Sequence, residues 1–485
     1  MLKQPATEDL VGAPLRTPII HRLYQDLIQP FIGKWQAFWH TPPLRMASPH
    51  CRILLTAGVN RLGQNIGDDA QLARTLHCWK QVAPDAKLNV MTLDPEGLAR
   101  LHPSVQAVPA PRKAFFSAHR FYSGYGSGRL LFRIRFAFIA PWLGLNARLW
   151  RAGLPILGLS ADTIQVLHEL RRADLLFLYG GGILTGATHS RLWENMIVLR
   201  LARLFGTPAI LSGQTIGPFN DFLDRAIAHW GLSTAQAIYT RDPVFSAKEL
   251  RGIGIPDFRI FSHFDDALFH ESAPQEVISA TLKATGLDPS KPYLTVNAHA
   301  WGMGKRENLR ILRGLGKILN EVQNKLGLQI LFIGMAEGDE ESLLAVAMET
   351  HGATYLISHH HPVSTIAGVI RGGSLCLTMR HHPIIFAMGG GVPTLALCYH
   401  PYFRHKNLGA MSLFQQERYV VSTRDSDFPE LAVGLLMEVW ERREAITATT
   451  NHILQALRPM EGTAIHTWLI QQSGGTPQGV RMIDT

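Results

Sequence analysis

Cysteine is scarce in this chain, and acid is missing from one long stretch of it. Only four cysteines, Cys51, Cys78, Cys376 and Cys398, occur in 485 residues. They are scattered, two of them inside apolar strand-like runs, and show neither a disulfide framework nor zinc-ligand spacing. Buried, reduced thiols of a cytosolic protein are the expected reading. An uninterrupted run of ~18 apolar residues is also absent, because Arg133 and Arg135 divide the best candidate, which argues against a spanning helix. The opening MLKQPATEDLVG lacks a basic region followed by an apolar stretch, so a secretory signal is not expected.

No acidic residue lies between Glu96 and Asp162, while Arg100, Arg112, Lys113, Arg120, Arg129, Arg133, Arg135, Arg148 and Arg151 fall inside that interval. Those nine cations equal the whole net charge of +9, an excess that favours anionic partners. Aromatic residues from Phe115 to Trp142 alternate with the arginines of residues 112–151. Arginine with aromatics suits peripheral contact with an anionic membrane, such as the inner face of the cytoplasmic membrane; an insertion packed over the first half explains the pattern equally. Nucleic acid is not expected, since no recognised binding module accompanies the charge. His359, His360 and His361 are read as a solvated turn and not as a metal site, because adjacent histidines diverge on most backbones.

A content of 46% hydrophobic and 18% charged residues is that of globular domains. Residues 1–48 read as a Pro-broken extension with one amphipathic piece, Arg22 to Gln29. Strand-like runs then alternate with helix-like segments: Ile53 to Thr56, Leu88 to Leu93, Leu175 to Tyr179, Ala209 to Ser212 and Ala237 to Thr240. A second series follows the segment Asp288 to Pro292, with Leu294 to Asn297, Gln329 to Ile333, Ser374 to Thr378 and Thr394 to Leu397. This predicts an α/β protein with two Rossmann-like parallel sheets facing a cleft: an N-terminal domain over 49–287 carrying a basic insertion at about 110–160, and a C-terminal domain over 288–425. Helices follow over 426–470, with Pro429 to Leu457 a candidate to cross back to the first half, and the SGGTPQG tail within 471–485 reads as disordered.

The motifs sit where strands end, the position at which open α/β sheets bind ligands. After the first strand, a Gly- and Asn-rich loop ends in Asn65, Gly67, Asp68 and Asp69, where an aspartate can cap the following helix or meet a hydroxyl. Gly180, Gly181 and Gly182 follow the third strand without dinucleotide-fold spacing, which disfavours an NAD site. Gln214 lies in a Ser-Gly-Gln-Thr-Ile-Gly-Pro strand end. Arg241 and Arg380 each end a strand, one per half, and a desolvated guanidinium there asks for an anion. For Arg241 alone a salt bridge to Asp242 is the default explanation. His381 and His382 follow Arg380, and a histidine beside a cleft arginine is a candidate acid or base.

The order N-I-G-D-D-A, G-G-G, G-Q-T-I-G-P, R-D, D-D-A-L, then R-x-H, G-x-P-T and Tyr399 resembles the polysaccharide pyruvyl transferase family over roughly residues 51–423. The resemblance implies a fold similar to the two-domain GT-B glycosyltransferases. It also implies phosphoenolpyruvate as donor, a glycan or lipid-linked sugar as acceptor, no cofactor or metal, and a place in bacterial exopolysaccharide or cell-envelope synthesis. By motif, Arg241 and Arg380 would bind the donor's phosphate and carboxylate, and His382 would act as general acid, held protonated by donor anions. Asn65 to Asp69, Gly181, Gly182, Gln214, His381 and Tyr399 would line the substrates. His381 departs from the pattern, since an apolar residue is usual in the middle of R-x-H. Two other readings share the architecture. A nucleotide-sugar glycosyltransferase would use the same loops, and a non-catalytic glycan-binding protein would have little reason to keep Arg241, Arg380 and His382 together.

Overall fold

The computed structural model describes residues 34, 38, 40–45, 51–57, 62–116, 127–219, 221–300 and 303–472. The amphipathic piece Arg22 to Gln29, residues 58–61 of the first loop, Arg120 to Tyr125 of the basic stretch and the SGGTPQG tail lie outside them.

Two parallel sheets form, each built from strands too apolar to leave a face in water. The first contains β1 (Arg52–Thr56), β2 (Lys87–Thr92), β3 (Gln106–Pro109), β4 (Leu175–Leu178), β5 (Gly181–Leu184), β6 (Ala209–Ile216), β7 (Ala237–Thr240) and β8 (Ile260–Ser262), in the order β3-β2-β1-β4-β6-β7-β8 with β5 beside β6. The second contains β9 (Tyr293–Asn297), β10 (Gln329–Ile333), β11 (Thr354–Ile357), β12 (Leu375–Thr378), β13 (Thr394–Cys398) and β14 (Val420–Ser422), in the order β11-β10-β9-β12-β13-β14. Strand order reverses between β1 and β4 in one sheet and between β9 and β12 in the other. A crevice opens at such reversals beyond the strands' carboxyl ends.

Five short strands, β3, β5, β8, β11 and β14, escape the sequence reading. The triple-glycine turn accordingly runs into a strand, with Gly181 paired to Gln214. The helix Ile66–Val82 is capped by Asn65, whose side chain accepts from the N–H groups of Gly67 and Asp68, so neither aspartate is its cap.

The chain leaves the first half directly after β8. Phe264, Ala267, Leu268, Ile278 and Leu282 already belong to the second core, ahead of the Asp288 to Pro292 segment read as the boundary. The helices Phe428–Glu441 and Arg443–Leu457 stay with that core. The return crossing falls to a later helix, Thr463–Gln472, whose Trp468 is fully buried with its ring 6.0 Å from Trp79 of the first half. Arg74 pairs with Glu461 through Nε (2.6 Å) and Nη2 (2.8 Å) beside that crossing.

The basic insertion is largely one helix, Ser127–Arg151. Its span Arg129–Arg151 is long and apolar enough to cross a membrane by length and composition alone. One face is committed elsewhere: Phe132, Phe136, Leu143 and Ala147 bury in the first half's core, while Arg129 and Arg133 pair with Asp221. All four cysteines are buried and unpaired. The histidine triplet is not simply solvated, since His359 is buried with Nδ1 2.5 Å from a Glu340 oxygen.

Trp468 fills a closed site between the returning helix and Trp79. Trp468→Ala is expected to destabilise the protein by about 3–5 kcal/mol, read as a lower midpoint in chemical denaturation with the cleft residues unchanged.

Candidate active site

Four loops meet between the halves, and they follow the strands that flank the two reversals. β1 leads to Asn65 through Asp69, β4 to Gly180 through Gly182, β9 to His299, and β12 to Arg380 through His382. β7 adds Arg241.

The centre of the arrangement is Asp265, just after β8 and 1% exposed. Its carboxylate accepts from Arg241 Nη1, from Gln71 Nε2 (3.1 and 3.0 Å to its two oxygens), from the backbone N–H of Ala267 (2.9 Å) and from His381 Nε2 (3.2 Å). Burial alone would raise this carboxyl. The Arg241 charge and the His381 hydrogen bond overcome that and hold it well below the usual carboxylate range.

Arg241 is 2% exposed, and its partner is Asp265 rather than its neighbour Asp242. Asp242 instead accepts from the N–H groups of Phe245 (2.6 Å) and Ser246 (2.9 Å) at the start of the next helix. Arg241 Nε donates to Thr215 (2.7 Å), which leaves Nη2 buried with no hydrogen-bond partner among the described residues. That nitrogen lies 3.1 Å from where a Cβ on Gly182 would stand. Arg380, in the second half, is held by Asp339 of that same half, through Nε (2.7 and 2.9 Å) and Nη2 (2.5 Å). Nη1 is outside this pairing.

Both guanidinium groups act on the same two neighbours. The Asp68 carboxyl is raised by burial, against Lys406, Arg191, Arg241 and Arg380 together. Lys406 is pushed down to about 7 by burial, with Arg241 and Arg380 adding to the effect and Asp68 and Asp265 opposing it. Arg241 Nη2 (3.1 Å) and the Lys406 side chain (3.3 Å) both reach the position a Cβ on Gly182 would occupy, and Arg380 adds its charge from the end of β12.

His382 sits on the first turn of the helix His381–Gly389, 6% exposed, with Nε2 4.0 Å from Asp265 and lacking a hydrogen-bond partner among the described residues. Its ring lies against Gly67, where an added Cβ would come within 1.7 Å of Nδ1. Only glycine admits the imidazole there. Burial pushes His382 down to about 3, with Lys406, Arg241 and Arg380 adding to the effect and Asp265 opposing it. Burial and the neighbouring cations therefore oppose a proton on His382, and the sequence-based expectation assigns its retention to the donor's anions. His381 is also held well below its ordinary value, by burial and Arg241, and donates to Asp265.

The remaining expected residues fall in different places. Asn65 caps its own helix and bridges Ala336 of the second half, Gly67 meets His382, Asp68 feels the cations named above, Gly181 pairs with Gln214, and Gly182 meets Arg241. Gly182 is approached by Tyr402, whose hydroxyl donates to its carbonyl (2.6 Å) from the other half. Asp69 turns away, with Oδ2 accepting from Gly63 N–H (2.8 Å), and burial raises it to about 7. Gln214 is buried and uses Nε2 on the carbonyl of Tyr179 (2.8 Å), bracing strands. Tyr399 packs on the second core with Arg424 5.2 Å from its ring centroid. Tyr402, three residues on, is the tyrosine that reaches the glycine turn.

Asp265, Gln71, Arg191, Tyr402 and Lys406 were not singled out from the sequence. Asp265 lies in the D-D-A-L motif, which is the one signal that could have found it. Lys406 stands four residues after Tyr402, on the same face of the helix Pro401–Leu413, and nothing in Arg404-His405-Lys406 separates it from a surface cation.

Comparison with known proteins agrees with this architecture. A family model described as polysaccharide pyruvyl transferase matches residues 65–401. No curated protein matches the chain. Among solved structures, Anabaena Alr3699/HepE in complex with UDP and glucose is similar at 14% identity and a TM-score of 0.50, covering 88% of this chain and 100% of that one. A putative UDP-N-acetylglucosamine 2-epimerase from Listeria monocytogenes is similar at 13% identity and a TM-score of 0.52, covering 87% and 96%. These likenesses concern the two-sheet GT-B fold alone. With the family model spanning both halves and every cleft loop from Asn65 to His382, the chain belongs to the polysaccharide pyruvyl transferase family.

Proposed function

We propose that this protein transfers the enolpyruvyl unit of phosphoenolpyruvate onto two hydroxyls of a sugar, in a glycan or a lipid-linked saccharide, forming a pyruvate ketal and releasing phosphate. The observation that carries the reading is the approach of Arg241 and Lys406 to one glycine, Gly182, beside Asp265, whose carboxylate lies 4.0 Å from the His382 imidazole, with Arg380 at the end of β12 in the second half. Such a notch fits a small ligand bearing a phosphate and a carboxylate a few ångströms apart. Arg241 Nη2, aimed at the glycine turn, and the outer nitrogen of Arg380 supply directed donors, with Lys406 as a point charge. That donor is a cytoplasmic metabolite, so the reading implies action on the cytoplasmic side.

The chemistry follows in balanced steps. A proton moves from His382 to the terminal methylene of the enol phosphate, making a methyl group and leaving positive character on the central carbon. A sugar hydroxyl bonds to that carbon and loses its proton, for which Asp68, raised by burial, is the acceptor at hand. The second hydroxyl then displaces phosphate, which leaves with the C–O bonding pair against the cations and takes the proton held on Asp68. The proton of that hydroxyl restores His382. Burial and the surrounding cations oppose a proton on His382, and the anionic donor would raise the imidazole's proton affinity.

Two outcomes test the reading. Phosphate release from phosphoenolpyruvate with sugar-diol acceptors, and a pyruvyl mass increment on the acceptor, are expected where UDP-sugars give no turnover. His382→Ala is expected to lose ~10²–10⁴-fold in kcat, and turnover near the normal rate would remove His382 from the role. Donor binding raises the pKa of both His382 and Lys406, so at neutral pH it is expected to take protons up from solution. Calorimetry in buffers of different ionisation enthalpy reads that uptake, and Lys406→Met is expected to diminish it.

A further inference from the structure

A separate concavity lies away from the cleft. It is a groove of about 640 Å³ between the helix Ser127–Arg151 and the helices His189–Phe205 and Phe222–Leu232. Its lining recurs at helical spacing: Arg133, Phe136, Ala140 and Arg148 from the first helix, Trp193, Ile197 and Arg200 from the second. From Arg133 to Arg148 it follows the first helix for roughly 22 Å at 1.5 Å per residue. Beside it, on the next stripe of that helix, Leu130 (64%), Ile134 (49%), Phe138 (75%) and Trp142 (39%) are exposed, and Phe222 (76%) stands across the groove's third wall.

The charge of this face is unbalanced. Arg133 is neutralised by Asp221. Arg148 and Arg200 pair with no carboxylate among the described residues, and Arg200 is instead stacked on Trp230, 5.1 Å from the ring centroid. Arg148 and Arg203 add like charge near Arg200, and among the described residues the groove's lining holds no carboxylate. A long apolar channel with two unmatched guanidinium groups, rimmed by exposed Leu, Ile, Phe and Trp, complements an amphiphile with a hydrocarbon chain and an anionic head.

We propose that this face docks on an anionic phospholipid bilayer, taking one acyl chain into the groove with the lipid phosphate between Arg148 and Arg200. The exposed stripe from Leu130 to Trp142 enters the interface alongside it. The proposal stands apart from the donor chemistry, since none of these residues belongs to the cleft.

Flotation of the full chain with vesicles tests it. The protein is expected to rise with phosphatidylcholine vesicles containing phosphatidylglycerol and to stay behind with phosphatidylcholine alone. Phe138→Asp with Trp142→Asp, both at exposed positions, is expected to abolish flotation. Arg148→Gln with Arg200→Gln is expected to weaken it by about fivefold per arginine. Thermal unfolding and phosphate release in solution should stay unchanged throughout. Absence of flotation on anionic vesicles, or flotation indifferent to these substitutions, overturns the proposal. So does a change from dimer to monomer in the same variants, which makes the face an interface between copies. Flotation gained only on deleting residues 1–33 overturns it as well, because the chain's own extension then fills the groove.

Discussion

The cleft depends on one buried carboxylate. Asp265 gathers a guanidinium and an amide from the first half, a backbone N–H from the connection and an imidazole from the second half. Each donor satisfies part of a charge that could not otherwise stay ionised at 1% exposure. The same bonds decide where the reactive groups point. Arg241 is turned so that Nη2 is left without a hydrogen-bond partner among the described residues, and of the two adjacent histidines His381 is tied down while His382 Nε2 has none there. Stability and site geometry therefore rest on the same few hydrogen bonds.

The glycines of the cleft belong to this constraint. Gly67 exists because an imidazole from the opposite half occupies the volume of its side chain, and Gly182 because Tyr402 and Arg241 converge on it. Neither requirement is local to its own loop. A glycine-rich βα turn read alone suggests close approach by a ligand; here much of the close approach is by protein.

Much of this architecture was legible in the chain. Apolar runs such as Ala237 to Thr240 and Gln329 to Ile333 coincide with β7 and β10, because strands buried on both faces need unbroken hydrophobicity. The two arginines and the histidine pair stood out because strand ends carrying guanidinium groups are costly without a purpose. The short edge strands β3, β8, β11 and β14 carry weaker patterns and take their conformation from their neighbours. Tyr402 and Lys406 were opaque for another reason: their surroundings are assembled from segments more than a hundred residues apart, so nothing adjacent in sequence marks them, and for Asp265 the D-D-A-L motif is the one local sign. Asp68 and Asp69 illustrate the limit most directly. Two identical side chains in succession face a crowd of cations and a lone backbone N–H respectively, and only the helix phase set by Asn65 tells them apart.

The polypeptide passes between the halves twice, once after β8 and again at residues 458–462 before Trp468 docks on Trp79. A single connector would let one lobe swivel freely about the other. Two connectors define a line, and rotation about that line is the cheap motion left to the pair. Any rotation of that kind has to part the bonds that join the halves, among them Tyr402 to Gly182, Ile66 to Met335 and His381 to Asp265.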